Sequence, residues 1–246
     1  MTVDEVLAEV EQDASFYAES GGGITLSGGE CTLQPEFSAA LLEESHRRGL
    51  TTAIETAGNV PWAFFERVVR HADTVLHDYK ATDPRAHRRW TGVGNERILE
   101  NFQRAYETFP DKRFVARTPV IPGVNDLEDH VRAVVAFVRR HPNVVDYQLL
   151  PYHRYGEGKY GYLGRVYALQ DFPSLPDETL RRALWDRCLG RSLPRADDVD
   201  LEAPRALEAR RGLVVEADRD AVRAQDRRDA RGRRRRLRLR RFGHHH

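Results

Sequence analysis

From Val3 to Leu150 the hydrophobic residues alternate between helical spacing and short continuous runs. Val6, Leu7 and Val10 are spaced as on one face of a helix, which predicts a first helix over Val3–Tyr17. The short apolar runs end in glycine, proline or charged residues, a pattern typical of buried strands. These runs predict strands at Ile24–Ser27, Thr51–Glu55, Asp73–Lys80, Phe114–Val120 and Val144–Leu150.

Amphipathic segments of helical spacing separate the predicted strands. They predict helices over Pro35–Gly49, Trp62–His71, Pro84–Trp90, Glu96–Phe109 and Leu127–Arg140. Strands that alternate with helices in this way form parallel sheets joined by crossover helices. The sequence therefore predicts the α/β class and a barrel-like sheet, whose functional residues follow the carboxyl ends of the strands.

Each predicted strand ends in polar or glycine residues that do not suit a core. Any α/β protein has polar loops, so the order and spacing of the motifs must decide whether these residues form a site. The residues concerned are Gly28–Glu30, Glu55–Gly58, Asp78–Lys80, Arg117 and Tyr152–His153.

Six sequence motifs follow one another in a fixed order. Two glycines without Cβ in GGGITLSGGE would let a ligand approach the backbone, and Glu30 could stabilise a cation. AIETAG and HDYK supply two carboxylates and a lysine, and an arginine such as Arg117 suits a carboxylate through a bidentate fork. The remaining motifs are TGVGNERILEN, ARTPVIPGVND and LLPYHRYGEGKYGYLGRVY.

Together these motifs resemble the glycyl-radical-enzyme activating enzymes of the radical S-adenosylmethionine superfamily, of the pyruvate formate-lyase activating type, over residues 2–170. The resemblance implies S-adenosylmethionine and a [4Fe–4S] cluster as cofactors. It also implies a glycyl radical enzyme as protein substrate and flavodoxin or ferredoxin as electron donor. The cofactor-binding residues that it implies are Gly28, Gly29, Glu30, Glu55, Asp78, Lys80, Arg117 and His153.

The cysteines depart from this family. Its cluster is held by a C-x3-C-x2-C loop after the first strand, whereas this chain has two distant cysteines, Cys31 and Cys188. A cluster normally takes three or four thiolates. We therefore expect an incomplete (β/α) TIM-like barrel that lacks its first β/α unit, in a truncated and inactive form. The alternative is a catalytically dead S-adenosylmethionine-fold module that binds a partner, and Cys31 is expected to be a packing residue.

Charge divides the chain into a barrel domain over residues 1–216 and an arginine-rich, low-complexity tail over residues 217–246, for which we expect disorder. The tail has twelve arginines and four aspartates, a net charge of +8, so the remainder is acidic. Nucleic-acid binding through the tail is a further alternative, less favoured than a solvated tail. The acidic amino terminus does not suit a signal peptide, and no long apolar run predicts a membrane span, so a cytoplasmic protein is expected.

Overall fold

A computed structural model describes residues 1–125 and 128–152, a few single positions between 164 and 172, and two short strands near the carboxyl terminus. The described strands belong to one sheet of seven. They are β1 (Gly23–Gly28), β2 (Thr51–Thr56), β3 (Thr74–Asp78), β4 (Arg113–Val120), β5 (Val144–Pro151), β6 (Val214–Ala217) and β7 (Arg238–Arg240).

Seven α-helices precede or connect the first five strands. The first begins at a capping box in which Thr2 and Glu5 bond to each other's backbone, a device that satisfies two free amide groups. None of the described helices is long and apolar enough to span a membrane. The helices are α1 (Val3–Val10), α2 (Ala14–Ser20), α3 (Pro35–Arg47), α4 (Trp62–Val69), α5 (Pro84–Thr91), α6 (Glu96–Thr108) and α7 (Glu128–Val138).

The strand order is β5-β4-β3-β2-β1-β6-β7, and β1 to β6 all pair in parallel. The α/β class and the parallel pairing predicted from the sequence are confirmed, and the bounds of most elements agree within a few residues. Among the strands that the structure describes, only β7 runs antiparallel, against β6. It lies within residues 217–246, and the division of the chain at that point stays a prediction.

Two features differ from the sequence expectations. The single helix expected over Val3–Tyr17 is two helices joined by a 3-10 turn at Glu11–Asp13, a polar stretch that supplies no apolar face for the helix to bury. A barrel that lacks its first β/α unit should also leave the outer edge of β1 open, but this edge pairs with β6 through Thr25 and Val214. The first strand is therefore an interior strand of this sheet.

One face of the sheet packs against the helices and forms the core. Ile24, Ile54 and Phe114 on this face are at most 1% exposed, because helices α3, α4 and α6 cover them. Alternation along a strand sends the intervening side chains to the opposite face. That second face carries polar residues near the carboxyl ends of the strands, and it positions the candidate site.

A histidine lies in the core among aromatic rings. His77 on β3 is fully buried, and its Nε2 lies 2.6 Å from the hydroxyl of Tyr106, which lies 3.2 Å from the hydroxyl of Tyr79. The Phe102 ring packs against the imidazole with centroids 4.0 Å apart. Burial, and secondly the charge of Arg117, lower the pKa of His77 well below its ordinary value. The imidazole is therefore neutral at physiological pH.

Candidate functional site

Four charged side chains form a connected row on the polar face of the sheet. Arg117 lies at the centre and donates to Glu55 through Nη1 at 2.8 Å and to Asp78 through Nη2 at 3.2 Å and Nε at 3.3 Å. Ser27 donates to the other oxygen of Glu55 at 2.7 Å. The Lys80 ammonium lies 3.8 Å from Asp78 and is the most exposed member of the row. We call Glu55, Asp78, Lys80 and Arg117 the charged row.

Strand register accounts for this row. Asp78 on β3 pairs directly with Arg117 on β4, so the two side chains leave the sheet side by side. Glu55 on β2 pairs with Leu76, two residues before Asp78 and therefore on the same face. Residues from three consecutive strands thus meet at one place.

The charges of the row stabilise one another. Burial raises the pKa of the Glu55 carboxyl, but the charge of Arg117 and hydrogen bonds from Arg117 and Ser27 outweigh it and hold that pKa below its ordinary value. Burial likewise acts to lower the pKa of Arg117, and the charges of Asp78 and Glu55 outweigh it and raise that pKa. The guanidinium is 14% exposed, so its two carboxylate partners replace most of its water.

Glu30 joins two loops next to the row. Its Oε1 accepts hydrogen bonds from the backbone and hydroxyl of Thr32 and from the hydroxyl of Thr56, at 3.2, 2.6 and 2.6 Å. Its Oε2 accepts from the backbone of Ala57 at 2.9 Å. The carboxylate therefore ties the loop after β1 to the loop after β2.

Cys31 is buried, as expected for a packing residue. Its side chain is 1% exposed, and its thiol donates to the carbonyl of Glu55 at 3.4 Å. Burial, and then the nearby charge of Glu30, raise the pKa of this thiol well above its ordinary value. A protonated, enclosed thiol is not a metal ligand. Among the described residues, no three histidine, cysteine or acidic side chains are grouped so as to hold a metal ion.

The loop after β2 depends on a glycine at Gly58. This residue has φ +71°, and a Cβ placed there would lie 3.0 Å from the ring of Phe102. Gly58→Ala is expected to lower the free energy of unfolding by about 2 kcal/mol, combining left-handed strain with contact against the ring. Chemical denaturation measures the change.

Gly49→Ala is the matched control, because Gly49 has φ +77° and no heavy atom within 4 Å of the added carbon. Gly49→Ala should lower the free energy of unfolding by about 1 kcal/mol, from left-handed backbone strain alone. Equal losses in the two variants would show that the Phe102 contact contributes nothing to the loop.

The structure places the residues implied by the sequence as follows. The members of the charged row are in contact, and Glu30 lies in the adjoining loops. Gly28 ends β1 with φ 116°, and Gly29 follows it towards Glu30. His153 lies outside the described residues. The role of each of these residues in binding a cofactor stays a prediction.

Sequence reasoning did not single out Ser27 and Thr56, although both bond to acidic residues of the site. The signal was present for Ser27, which alternates with Leu26 and so had to leave the sheet on the polar face. The signal for Thr56 was only its place in the strand-end range Glu55–Gly58, and its side chain is buried.

Comparison with known proteins agrees with this architecture. The model of the radical SAM superfamily matches residues 1–137. An isethionate sulfite-lyase activating enzyme of Oleidesulfovibrio alaskensis is 51% identical over 67% of this chain and 52% of its own length. A (2S)-3-sulfopropanediol sulfolyase activating enzyme of Bilophila wadsworthia is 46% identical over 69% of this chain and 56% of its own length.

A solved structure shows the same fold. The crystal structure of a domain of pyruvate-formate lyase-activating enzyme from Bacteroides vulgatus is 28% identical, with a TM-score of 0.53, over 68% of this chain and 94% of that one. The chain spans about half the length of the curated relatives named above. The superfamily match over more than half of the sequence, together with the parallel sheet, shows that this chain belongs to the radical SAM superfamily.

Proposed function

We propose that this chain forms the S-adenosylmethionine-binding side of an enzyme that activates a glycyl radical enzyme. The observation that carries the proposal is the charged row at the carboxyl ends of three parallel strands, where ligands bind in sheets of this class. The curated relatives named as activating enzymes support it.

The row suits the amino acid end of S-adenosylmethionine, which carries an ammonium, a carboxylate and a sulfonium. Glu55 and Asp78 supply negative charge for the cationic groups, and Lys80 supplies a positive charge that is 41% exposed and open to a carboxylate. Arg117 holds the two acidic side chains in place. S-adenosylmethionine supplies the adenosyl group from which enzymes of this superfamily make a radical. This chain's residues bind and orient it.

The [4Fe–4S] cluster of the family does not fit the thiols of this chain. The sequence contains Cys31 and Cys188, fewer than the three or four thiolates that a cluster normally takes. Cys31 is enclosed and donates to a carbonyl. We therefore derive no step through a cluster on these residues, and propose that the chain as given does not cleave S-adenosylmethionine.

The partner in this proposal is a glycyl radical enzyme, with flavodoxin or ferredoxin as electron donor. The two relatives of 46% and 51% identity are named for a sulfolyase and a sulfite-lyase, whereas a choline trimethylamine-lyase activating enzyme of Oleidesulfovibrio alaskensis is 39% identical. These identities favour a lyase acting on a sulfonate as the partner.

The test compares two proteins. One is the chain as given, and the other joins the upstream segment of the Oleidesulfovibrio alaskensis isethionate relative to Met1. Both are reconstituted anaerobically with iron and sulfide and treated with dithionite and S-adenosylmethionine. We expect 5′-deoxyadenosine from the joined protein only. In it, Asp78→Asn should lower the rate about tenfold or more, as for one lost hydrogen bond to a charged group.

Asp111→Asn is the control, since Asp111 is an exposed carboxylate in the turn before β4, at the other end of the sheet. It should leave the rate unchanged. Formation of 5′-deoxyadenosine by the chain as given would contradict the proposal that its two cysteines are too few to hold a cluster. No product from a folded, cluster-loaded joined protein would contradict the proposed function.

A further inference from the structure

Three buried asparagines donate hydrogen bonds to the main chain of the loops that follow β2 and β3. They are Asn95, Asn101 and Asn125, and each is at most 4% exposed. Asn95 and Asn101 belong to the motif TGVGNERILEN, and Asn125 to ARTPVIPGVND. In all three, the side-chain amide donates to two main-chain carbonyls, so each joins two points of backbone.

Asn125 joins the end of β4 to Lys80. Its Nδ2 donates to the carbonyl of Lys80 at 2.7 Å and to that of Pro119 at 2.8 Å, and its Oδ1 accepts from the backbone of Ile121 at 2.8 Å. The main chain of Lys80 is thereby fixed to the strand that carries Arg117. Lys80 lies beyond the end of β3 at Asp78, and the amide supplies a hydrogen bond to its carbonyl.

Asn95 fixes the two residues that follow Lys80. Its Nδ2 donates to the carbonyls of Ala81 and Thr82, each at 2.9 Å. His130 on α7 accepts from the backbone of Thr82 at 3.2 Å. The turn that leaves β3 is therefore held from both sides, by residues from two other elements.

Asn101 holds the loop after β2 in the same way. Its Nδ2 donates to the carbonyls of Gly58 and Val60 at 2.8 Å. The amide of Ala57 in that loop donates to Glu30. The position of this donor, and with it the orientation of the Glu30 carboxylate, therefore depends on the Asn101 amide.

We propose that Asn95, Asn101 and Asn125 are positioning residues, which set Lys80 and Glu30 for the ligand through the backbone of the loops. The proposal rests on the proposed function, which assigns Lys80 to ligand binding, and it extends that assignment to Glu30. The side chain must be short, neutral and able to donate two hydrogen bonds from one nitrogen, which describes asparagine. A shift of the loop moves the lysine ammonium relative to Asp78 and weakens the hold on a ligand.

The chain contains a matched control at the opposite end of the sheet. Asn143 is buried, and its Nδ2 donates to the carbonyls of Tyr106 and Phe109, both at 3.0 Å. It precedes β5, and within the part of the chain that the structure describes no hydrogen bond joins it to the charged row. Asn143 therefore reports the stability cost of losing an amide with two carbonyl partners, without an effect on the site.

The experiment is a double-mutant cycle on the full chain with S-adenosylmethionine as the probe. The dissociation constant is measured by equilibrium dialysis for Asn125→Ala, Lys80→Ala and the double variant. Asn125→Ala should weaken binding about tenfold, the size typical of losing a residue that orients a ligand group. In the Lys80→Ala background the same change should weaken binding less than about twofold.

Asn143→Ala should destabilise the protein to a similar degree and leave the dissociation constant unchanged. Equal weakening by Asn125→Ala and Asn143→Ala, or full additivity with Lys80→Ala, would overturn the positioning role. Amide hydrogen exchange across residues 79–82, without ligand, gives the second measurement. Asn125→Ala should accelerate exchange there and Asn143→Ala should not.

The two proposals fail in different ways. If the unaltered chain binds no S-adenosylmethionine, the proposed binding site is overturned, while hydrogen exchange still tests whether Asn125 holds the loop. If exchange across residues 79–82 is the same in the Asn125→Ala and Asn143→Ala variants, the positioning proposal is overturned whatever the affinity.

Discussion

Replacing Arg117 by methionine is expected to lower the free energy of unfolding by about 3 kcal/mol at neutral pH. The change removes a guanidinium that is 14% exposed, so Glu55 loses its bonded cation and Asp78 keeps only the Lys80 ammonium at 3.8 Å. The expected loss is at the lower end for a broken buried ion pair, because Glu55 retains 35% exposure and some water. Chemical denaturation at pH 7 measures it.

Arg113→Met is the matched control, since Arg113 begins the same strand and is exposed. The Arg113→Met variant should lose no more than about 0.5 kcal/mol of the free energy of unfolding. The deficit of the Arg117 variant should also shrink at acidic pH, where protonation of Glu55 removes the negative charge that Arg117 no longer neutralises. A loss of less than 1 kcal/mol in the Arg117 variant would contradict the central role given to this residue.

Acidification is expected to destabilise the protein through His77. Burial and then the charge of Arg117 hold the pKa of this imidazole well below its ordinary value of 6.5, so the unfolded chain takes up the proton first. The stability that the neutral imidazole contributes is fully present above pH 6.5. As the pH falls below 6.5, the free energy of unfolding decreases by about 1.4 kcal/mol per pH unit from this one group.

His77→Phe should flatten the pH dependence by that amount, because phenylalanine does not titrate. Denaturation curves between pH 4.5 and 7.5 would show the change in slope. Val75→Ala, two residues earlier on the same face of β3, should lower stability at every pH and keep the slope. An unchanged slope in the His77 variant would mean that the imidazole already takes up a proton in the folded protein.

Much of the fold could be predicted, because a buried parallel strand requires a short, nearly continuous apolar run that is visible in the sequence. Phe114–Val120 is an apolar run stopped by Ile121–Pro122–Gly123, and the structure ends β4 at Val120. The predicted strand Asp73–Lys80 likewise placed Asp78 and Lys80 at one strand end, although the structure ends β3 at Asp78. The break between α1 and α2 was missed, because apolar spacing continued to Tyr17 across the polar turn at Glu11–Asp13.

The contacts within the site were less predictable. The order of the motifs predicted that Arg117 belongs to the site. Its contacts with Glu55 and Asp78, which lie 62 and 39 positions away, depend on strand register. The bonds that occupy the Glu30 carboxylate also come partly from another loop. The partners of Asn95 and Asn125 are main-chain carbonyls, which have no side-chain signature in a sequence.

The strand order has a consequence for the order in which the chain folds. From β1 to β5, each strand pairs with the next one along the chain, as Ala53 on β2 does with Thr74 on β3. These pairings close short loops and can form one unit at a time, beginning as the chain leaves the ribosome. The pairing of Thr25 with Val214 closes a loop through most of the sequence. The three strands that carry the charged row can therefore assemble before the outer edge of β1 receives its partner.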